Sequence, residues 1–273
     1  MRPLLVFCAA PRRPGAHEGL VSAAAAVELV HMATLVHDDL IDGATLRRGR
    51  PTVARALGAD AAVRVGDFLF ARAFAELTRS RSARAVQALA EAALDLSLGE
   101  IDQQCAVDKL DLSEEAYLER CRRKTAALFA VACRLGALVG GAGEEAQERL
   151  AAFGECVGIA FQIFDDILDL AGAPAATGKR RGSDLREGTM TLPVILALRQ
   201  EPELARHLAE ARGDGPCVEA LCDRLAAHRG VALARERALA FVAAARAAID
   251  GPLDGADPDA LLEIADGVVD RFA

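Results

Sequence analysis

Aromatic residues are scarce in this chain of 273 residues: tryptophan is absent, tyrosine occurs once, and aromatic residues make up only 4% of the sequence. A cavity built mainly from aromatic rings is therefore excluded. The seven cysteines contain no Cys-x-x-Cys pair, which argues against a zinc site. Their odd number in a chain of this length is typical of reduced thiols, and we expect a cytoplasmic protein.

Basic residues are outnumbered, because Lys and Arg total 32 against 40 Asp and Glu, a formal net charge of −8 at pH 7. A chain with this excess of acid does not neutralise a phosphate backbone over its surface, so no nucleic-acid partner is expected. No apolar stretch of about 18 residues is free of charge, so no membrane span is expected either.

Apolar residues are abundant at 52%, and most of them are alanine and leucine, which favour helices. Strand-like alternation does not extend beyond a few residues. Helices are expected over residues 18–37, 52–77, 83–106, 113–139 and 144–170, with Ser113 as an N-cap and another helix beginning at Pro258 after the N-cap Asp257. The segment 171–190 is expected to be irregular. The pattern predicts one all-α domain over residues 1–273, a bundle of about ten helices around a central apolar cavity.

One acidic pattern, Asp-Asp-x-x-Asp, occurs twice, each time at the C-terminal end of a strongly apolar predicted helix. The first cluster is Asp38, Asp39 and Asp42, and the second is Asp165, Asp166 and Asp169. Residues four apart lie one turn apart on the same helix face, so two carboxylates of each cluster project together. Acidic groups at a helix C-terminus oppose the helix dipole and repel each other, so stability does not explain them.

A divalent cation would offset that repulsion. Mg²⁺ binds through one or two carboxylates together with water and phosphate oxygens. The two clusters therefore predict two or three Mg²⁺ ions that hold a diphosphate, with all six aspartates as candidate ligands. Asp39, Asp166 and Asp169 are open to a second interpretation, in which they support the direct ligands or hold water.

Basic residues follow both clusters, at positions 47, 48 and 50 and at positions 179–181. Arginine side chains bind phosphate oxygens through two parallel hydrogen bonds. Either basic run alone is typical of a solvated loop. Next to an acidic cluster, it indicates a phosphate ester whose remaining oxygens are taken by the cations.

With these clusters in this order, the sequence resembles the trans-isoprenyl diphosphate synthases, or polyprenyl synthetases, over nearly its whole length. The resemblance depends on residues 28–42, 46–52, 66–69, 124–129, 161–169, 178–179, 183–188 and 191–193. It implies the all-α isoprenoid synthase fold, a homodimer, and condensation of isopentenyl diphosphate with an allylic diphosphate. In that reaction an allylic carbocation forms as diphosphate leaves, and the isopentenyl double bond attacks it. The resulting cation then loses a proton, which the resemblance assigns to the departing diphosphate.

The resemblance also implies roles for single residues. The Mg²⁺ ions would bridge to Asp38, Asp42 and Asp165, which with Lys124 and Lys179 are the expected catalytic residues. Contacts to the allylic diphosphate are expected from Arg47, Lys124, Thr125, Gln162 and Lys179, and contacts to isopentenyl diphosphate from Arg2, His31 and Arg48. By itself, a histidine at the position of His31 is more often a core residue, and only the resemblance favours a binding role. Lys124 by itself could belong to a solvated basic face.

Two positions depart from the family pattern. The family has the segment Gly-Gly-Lys-Arg-x-Arg-Pro near its N-terminus. In this sequence only the last three positions are matched, by Met1 at the variable position and by Arg2 and Pro3. The Gly-Gly-Lys-Arg part and the helix before it are therefore expected to be missing. Either the start is assigned too late, or binding of isopentenyl diphosphate is impaired. The second departure is Thr189, where the family often has a lysine that faces phosphate.

Product length is expected to depend on the helix that leads to the first cluster. Ala33 and Thr34 lie five and four residues before Asp38, with Val30 one turn further back. In short-chain members of the family, an aromatic residue at these positions blocks the product tunnel. Small residues here predict a product longer than farnesyl. Geranylgeranyl diphosphate remains an alternative, because a bulky residue from another helix could close the tunnel.

Three other functions are compatible with part of this pattern. A class I terpene cyclase has the same ionisation chemistry, but its second metal motif is of the Asn-Ser-Glu type and it needs an aromatic cavity. A non-catalytic subunit of a hetero-oligomeric synthase typically loses one aspartate cluster. Both clusters are kept here, but the missing first part of the N-terminal family segment keeps this alternative open. A metal phosphohydrolase, suggested by His37 and Asp38, needs further histidines, and only His31 is near.

Overall fold

Helices make up nearly all the regular structure in residues 1–11, 17–172, 181–210 and 217–270, which the computed structural model describes. The all-α prediction is confirmed. The helices are α1 (Arg2–Cys8), α2 (His17–Ile41), α3 (Val53–Leu57), α4 (Ala59–Leu77), α5 (Ala83–Cys105), α6 (Glu114–Cys121), α7 (Ala127–Gly140), α8 (Glu144–Ala171), α9 (Ser183–Glu187), α10 (Leu192–Gln200), α11 (Leu204–Glu210), α12 (Cys217–Ala226), α13 (Arg229–Ala248) and α14 (Pro258–Asp270).

Helix boundaries agree with the sequence where a side chain caps the end. The Ser113 hydroxyl accepts a hydrogen bond from the amide of Ala116 at 3.1 Å, and α6 begins at the next residue. The Asp257 carboxylate accepts from the amide of Ala260 at 3.1 Å, and α14 begins at Pro258. Both caps satisfy backbone donors that the first helical turn leaves without partners.

Four local features differ from the prediction. Part of the segment expected to be irregular, 171–190, forms the short helix α9 (Ser183–Glu187). The helix expected over 52–77 is divided at Gly58, whose φ of 90° is incompatible with helix. The helix expected over 113–139 contains a π-helical segment, Arg122–Ala126, between α6 and α7. A two-residue hairpin, β1 (Leu46–Arg47) paired antiparallel with β2 (Arg50–Pro51), follows the first aspartate cluster. The extra helices beyond the predicted ten arise partly from such divisions.

The chain is divided into two compact units, each assembled from separate stretches of sequence. The first comprises Met1–Leu94, Ala127–Gly154 and Ala247–Ile264, and the second comprises Asp95–Ala126, Glu155–Arg246 and Ala265–Ala273. The first unit contains the Asp38 cluster and the second contains the Asp165 cluster.

Helix α2 is the core helix of the first unit and packs against α1, α4 and α7. By length and composition α2 would be long and apolar enough to cross a membrane. In the structure Val27, Val30 and Ala33 are fully buried by the neighbouring helices. This packing accounts for the apolar character of α2, because a helix that is apolar nearly all round is typical of the centre of a bundle.

In the second unit, two ion pairs to the nearly buried carboxylate of Glu114 connect three helices. Glu114, at the start of α6, is only 9% exposed. Arg199 of α10 and Arg237 of α13 donate to its two carboxylate oxygens at 3.0 and 2.8 Å. Two guanidinium groups on one nearly buried carboxylate compensate its desolvation, so the position of α6 is defined by both other helices.

Glycine permits the close contact between α1 and α7. A Cβ atom added at Gly136 would lie 2.1 Å from the carbonyl oxygen of Val6, far inside van der Waals contact. At Gly267, on α14, an added Cβ would have no heavy atom within 4 Å.

These two glycines form a matched test of that contact. We expect Gly136→Ala to lower the free energy of unfolding by about 1–3 kcal/mol, because backbone has to move. Gly267→Ala should raise it by about 0.5–1 kcal/mol, because alanine is the better helix former. Urea unfolding followed by circular dichroism measures both, and equal effects of the two substitutions would contradict the packing described.

Candidate active site

The outer aspartates of the first cluster keep the helical spacing that the sequence predicts. The amide of Asp42 donates to the carbonyl oxygen of Asp38 at 2.8 Å, so the helical turn continues one residue past the end of α2. Asp38 is half-buried and Asp42 is exposed. Two carboxylates one turn apart, both with access to solvent, are suitably placed to share a cation.

The middle aspartate of the first cluster is turned inward. Asp39 is 5% exposed, and its Oδ1 accepts hydrogen bonds from Nε and Nη2 of Arg47, both at 2.7 Å. Arg47 lies on β1, so this ion pair holds the hairpin against the end of α2. The predicted proximity of the basic run to the acidic cluster therefore has a direct contact as its basis.

The turn of the hairpin carries further arginines. Arg48 and Gly49 have positive φ angles of 51° and 75°, and Arg48 and Arg50 are exposed. Behind the hairpin, the buried Thr52 hydroxyl donates to the carbonyl oxygen of Ala44 at 2.7 Å. The strand ends are thus fastened, while the guanidinium groups at the turn face solvent.

A second basic group lies around His31. Burial, followed by the charges of Arg2, Arg48 and Arg47, lowers the pKa of His31 to about 3. The imidazole is therefore neutral near pH 7, and it can donate one hydrogen bond from a surface that is positively charged by three arginines. Such a surface attracts an anion.

Arg2 is the most buried of these arginines. Its guanidinium carbon lies 4.6 Å from the centre of the Phe129 ring, a cation–π contact. Burial lowers the pKa of Arg2 to about 10, against the opposing effect of Glu28. Within the described part of the chain, its Nε is buried without a hydrogen-bond partner, so this donor could serve a ligand.

The second cluster repeats the inward turn of the middle aspartate. Asp166 is 4% exposed, and its Oδ2 accepts from the Tyr117 hydroxyl at 2.6 Å. Its Oδ1 accepts from Nε2 of Gln162 at 2.7 Å, and Oε1 of Gln162 accepts from the Thr125 hydroxyl at 2.7 Å. Burial raises the pKa of Asp166 to about 7, although both hydrogen bonds act in the opposite direction.

Asp169 anchors the segment that follows α8. Its Oδ1 accepts from the Ser183 hydroxyl at 2.5 Å and from the Ser183 amide at 3.1 Å, and its Oδ2 accepts from the Asp184 amide at 3.2 Å. These donors begin α9, which Asp169 therefore caps. Asp165 is half-buried on the same helix. Burial and the charge of the neighbouring Asp169 raise the pKa of Asp184, so a further titratable carboxyl group lies beside this cluster.

Lys124 and Thr125 lie on the π-helical segment Arg122–Ala126. Nζ of Lys124 lies 2.5 Å from Oε2 of Glu100 on α5. At Gly99, the preceding residue, an added Cβ would lie 2.5 Å from the backbone nitrogen of Lys124, so α5 approaches this segment without a side chain between them. Single π-helical turns occur frequently at functional sites, where they redirect side chains.

The structure brings predicted residues together in two sets, one in each unit. The set in the first unit comprises Arg2, His31, Asp38, Asp39, Asp42, Arg47 and Arg48. The set in the second unit comprises Lys124, Thr125, Gln162, Asp165, Asp166 and Asp169. Lys179 lies outside the described residues. Thr189 is buried and lines a cavity of about 280 Å³ in the second unit with Met190, Leu185 and Leu208.

Sequence reasoning missed Tyr117, Asp184 and Glu100. Tyr117 is the only tyrosine of the chain, yet nothing in its neighbours indicates that its hydroxyl reaches Asp166. Asp184 lies within the stretch 183–188 that carries the family resemblance, and that acidic position could have been included.

The carboxylates fit Mg²⁺. Among the described residues, no three or more His, Cys, Asp or Glu side chains converge into a ready-made cage. Mg²⁺ does not need one, because it is usually held by one or two carboxylates plus water and substrate phosphates. The carboxylates of Asp38 and Asp42 in the first unit, and separately that of Asp165 in the second, are hard oxygen ligands of the kind that this mode of binding uses.

His37 fastens the end of α2 to α4. Its Nε2 lies 3.3 Å from the carbonyl oxygen of Val63, and its ring stacks at 6.0 Å on Phe70. The ring occupies space that Gly66 leaves open, since a Cβ there would lie 2.0 Å from Nε2. Because His37 precedes Asp38, this contact positions the last turn of the helix that bears the first cluster.

A double-mutant cycle tests the His37 contact. We expect Gly66→Ala to expel the imidazole and to lower the free energy of unfolding by about 1–3 kcal/mol. With His37→Ala already present, the same substitution should raise it by about 0.5–1 kcal/mol, because alanine favours helix. Urea unfolding of the four proteins provides the measurement, and an equal cost of Gly66→Ala in both backgrounds would refute the contact.

Comparison with known proteins identifies relatives over the whole chain. The chain is 46% identical over 201 residues to heptaprenyl diphosphate synthase component 2 of Geobacillus stearothermophilus, covering 74% of this chain and 63% of that protein. It is 35% identical over 276 residues to octaprenyl diphosphate synthase of Haemophilus influenzae, covering 99% of this chain and 84% of that protein. The match to the first relative thus spans less than two thirds of its length.

A solved structure matches the whole fold. The polyprenyl synthase of Caulobacter crescentus, crystallised with calcium and isoprenyl diphosphate, is 36% identical with a TM-score of 0.90. The match covers 100% of this chain and 84% of that one. The family model for polyprenyl synthetase matches residues 1–226, which include both aspartate clusters. The resemblance predicted from the motifs is confirmed: this chain belongs to the polyprenyl synthetase family.

Proposed function

We propose that this protein is a Mg²⁺-dependent prenyltransferase that condenses isopentenyl diphosphate with an allylic diphosphate to give a trans-polyprenyl diphosphate. The observation that supports it most is the repeated arrangement at the two clusters. In each, the middle aspartate is buried against protein donors, while Asp38 and Asp42 in one and Asp165 in the other keep access to solvent. Family membership favours this reaction over the terpene cyclase and phosphohydrolase alternatives.

The side chains of this protein would bind the two diphosphate substrates, orient them and neutralise their negative charge. Arg47, Lys124, Thr125, Gln162 and Lys179 would contact the allylic diphosphate, and Arg2, His31 and Arg48 would contact isopentenyl diphosphate. When bound at Asp38, Asp42 and Asp165, Mg²⁺ supplies positive charge to the leaving diphosphate. The arginines and Lys124 would add positive charge near the leaving diphosphate, where negative charge develops. The apolar helices would exclude water from the allylic carbocation.

Incubation with labelled isopentenyl diphosphate, each allylic primer and Mg²⁺ tests the proposal. The 273-residue chain and a version extended upstream should be assayed side by side. We expect chain elongation, which Asp38→Asn should reduce on the order of a hundred-fold because a metal ligand is lost. Asp60→Asn, at an exposed position on α4, is the matched control and should retain activity. Absence of elongation with every primer and both versions, with no partner chain present, would overturn the proposal and favour a subunit of a hetero-oligomeric synthase.

We further propose a product longer than farnesyl. On α2, Ala33 and Val30 are fully buried and Thr34 is half-buried, with its hydroxyl donating to the carbonyl oxygen of His31 at 2.9 Å. Small side chains therefore form this part of the helix. The relatives named above carry heptaprenyl and octaprenyl products in their names. Geranylgeranyl diphosphate is the alternative product.

A bulky residue on α2 should shorten the product. We expect Ala33→Phe to shift the main product to a shorter polyprenyl diphosphate, because the ring would fill space next to the growing chain. Ala33→Ser, which adds a single atom, is the control and should leave the product length unchanged. Chromatography of the dephosphorylated products makes the comparison, and an unchanged length with Ala33→Phe would show that α2 does not limit the product.

A partner subunit of the same or another chain is also proposed. Several large apolar side chains are exposed, with Phe68 at 67% on α4 of the first unit and Ile101 at 56% on α5 in the second. Exposed side chains of this size favour association, and we propose a homodimer. The similarity to a protein named component 2 supports a second candidate, one component of a two-component synthase. Light scattering of the purified chain separates them, because a homodimer forms alone.

The cysteines support a cytoplasmic location, which we propose. All seven are free thiols. Burial raises the pKa of Cys121 to about 12 and that of Cys222 to about 11, so these thiols are unreactive. Cys105 and Cys217 are exposed, and exposed free thiols are typical of proteins in a reducing compartment.

A further inference from the structure

Tyr117 lies at one end of a buried chain of hydrogen bonds that runs through the second aspartate cluster. Its side chain is fully buried, and its hydroxyl donates to Oδ2 of Asp166 at 2.6 Å. The other oxygen of Asp166 accepts from Gln162, which in turn accepts from Thr125. Tyr117 itself lies on α6, seven residues before Lys124.

The chemistry of these groups determines the direction of each hydrogen bond in the series. The Asp166 carboxylate accepts hydrogen bonds from Tyr117 and from Gln162, so the amide nitrogen of Gln162 faces it. The amide oxygen therefore faces Thr125, and the Thr125 hydroxyl directs its proton to that oxygen. The second N–H of the Gln162 amide is then left for another acceptor, and an oxygen of a diphosphate is such an acceptor.

The position of the Tyr117 hydroxyl is itself well defined. The guanidinium of Arg120 lies 5.4 Å from the centre of the Tyr117 ring, and its Nη2 donates to the carbonyl oxygen of Met190 at 2.5 Å. The start of α6 is held by the Ser113 cap and by the ion pair of Glu114. A buried ring on a helix held at this end makes a rigid support for Asp166.

We propose that Tyr117 is a positioning residue for diphosphate binding: it holds Asp166 so that Gln162 and Thr125 present their polar groups in one orientation. The inference rests on the proposed function, in which Gln162 and Thr125 contact the allylic diphosphate. Without the Tyr117 hydroxyl, Asp166 loses one of its two donors, and its carboxylate is free to rotate away from Gln162.

The composition of the chain allows a direct spectroscopic test. Because tryptophan is absent and Tyr117 is the only tyrosine, the tyrosine emission and absorption bands report on this residue alone. We expect saturable changes in both bands when the full chain is titrated with inorganic diphosphate and Mg²⁺. In the Gln162→Leu variant, any diphosphate binding that calorimetry detects should leave the tyrosine emission and absorption bands unchanged. Binding to the wild-type chain that leaves the tyrosine bands unchanged would overturn the proposal.

Kinetics separate positioning from a purely structural role. Tyr117→Phe keeps the ring and removes the hydroxyl, and it should raise KM for the allylic diphosphate and lower kcat, each on the order of ten-fold. KM for isopentenyl diphosphate should stay unchanged. With Gln162→Leu already present, Tyr117→Phe should add little, because its effect passes through Gln162.

Ser22→Ala is the matched control. The Ser22 hydroxyl is buried and donates to a carboxylate oxygen of Glu76 at 3.1 Å in the first unit, so the same kind of bond is removed elsewhere. This variant should lose stability without any change in the two KM values. If Tyr117→Phe behaves like Ser22→Ala, the positioning role is wrong. If the wild-type chain shows no elongation, the proposed function fails, and the diphosphate titration still decides the role of Tyr117.

Discussion

Burying a carboxylate in an apolar helix bundle is costly unless protein groups donate hydrogen bonds to it, and both aspartate clusters are organised by this constraint. In a helix, the middle residue of Asp-Asp-x-x-Asp points about 100° away from the first, so it cannot share the face of the outer two. Asp39 is accordingly buried against Arg47, and Asp166 is buried against Tyr117 and Gln162. The donors that stabilise these inner carboxylates also hold the residues that surround each cluster.

Local pattern was sufficient for much of the fold and for the clusters. The periodicity of apolar residues gives helices without reference to distant contacts, and caps such as Ser113 act within one turn. The pairing of Asp38 with Asp42 follows from helical spacing alone. Features that depend on distant contacts were not predictable: Tyr117 reaches a carboxylate 49 residues away in sequence, and nothing near Tyr117 in the sequence indicates it. The division of the 52–77 helix at Gly58 required a positive φ that a helix-period pattern does not reveal.

Charge in the first unit is arranged differently from charge in the chain as a whole. The sequence has a net charge of −8, yet the surroundings of His31 are positive because Arg2, Arg47 and Arg48 act on it together. The ion pair of Asp39 with Arg47 explains how acid and base can be adjacent without cancelling the local field, since Arg48 and Arg50 stay exposed beyond it. The net charge of the whole chain therefore says little about whether a small anion binds at one site.

The π-helical segment Arg122–Ala126 has a consequence for how this chain can change by mutation. A hydrogen bond from residue i to i+5 accommodates one residue more than an α-helical turn. Loss of the codon for Arg122 or Arg123 would allow an α-helical turn to form, and it would turn Lys124 and Thr125 by about 100° relative to α6. Such a deletion would move Lys124 away from Glu100 and Thr125 away from Gln162 while leaving both residues in the sequence. A single in-frame deletion could thus change the site without replacing any of its side chains.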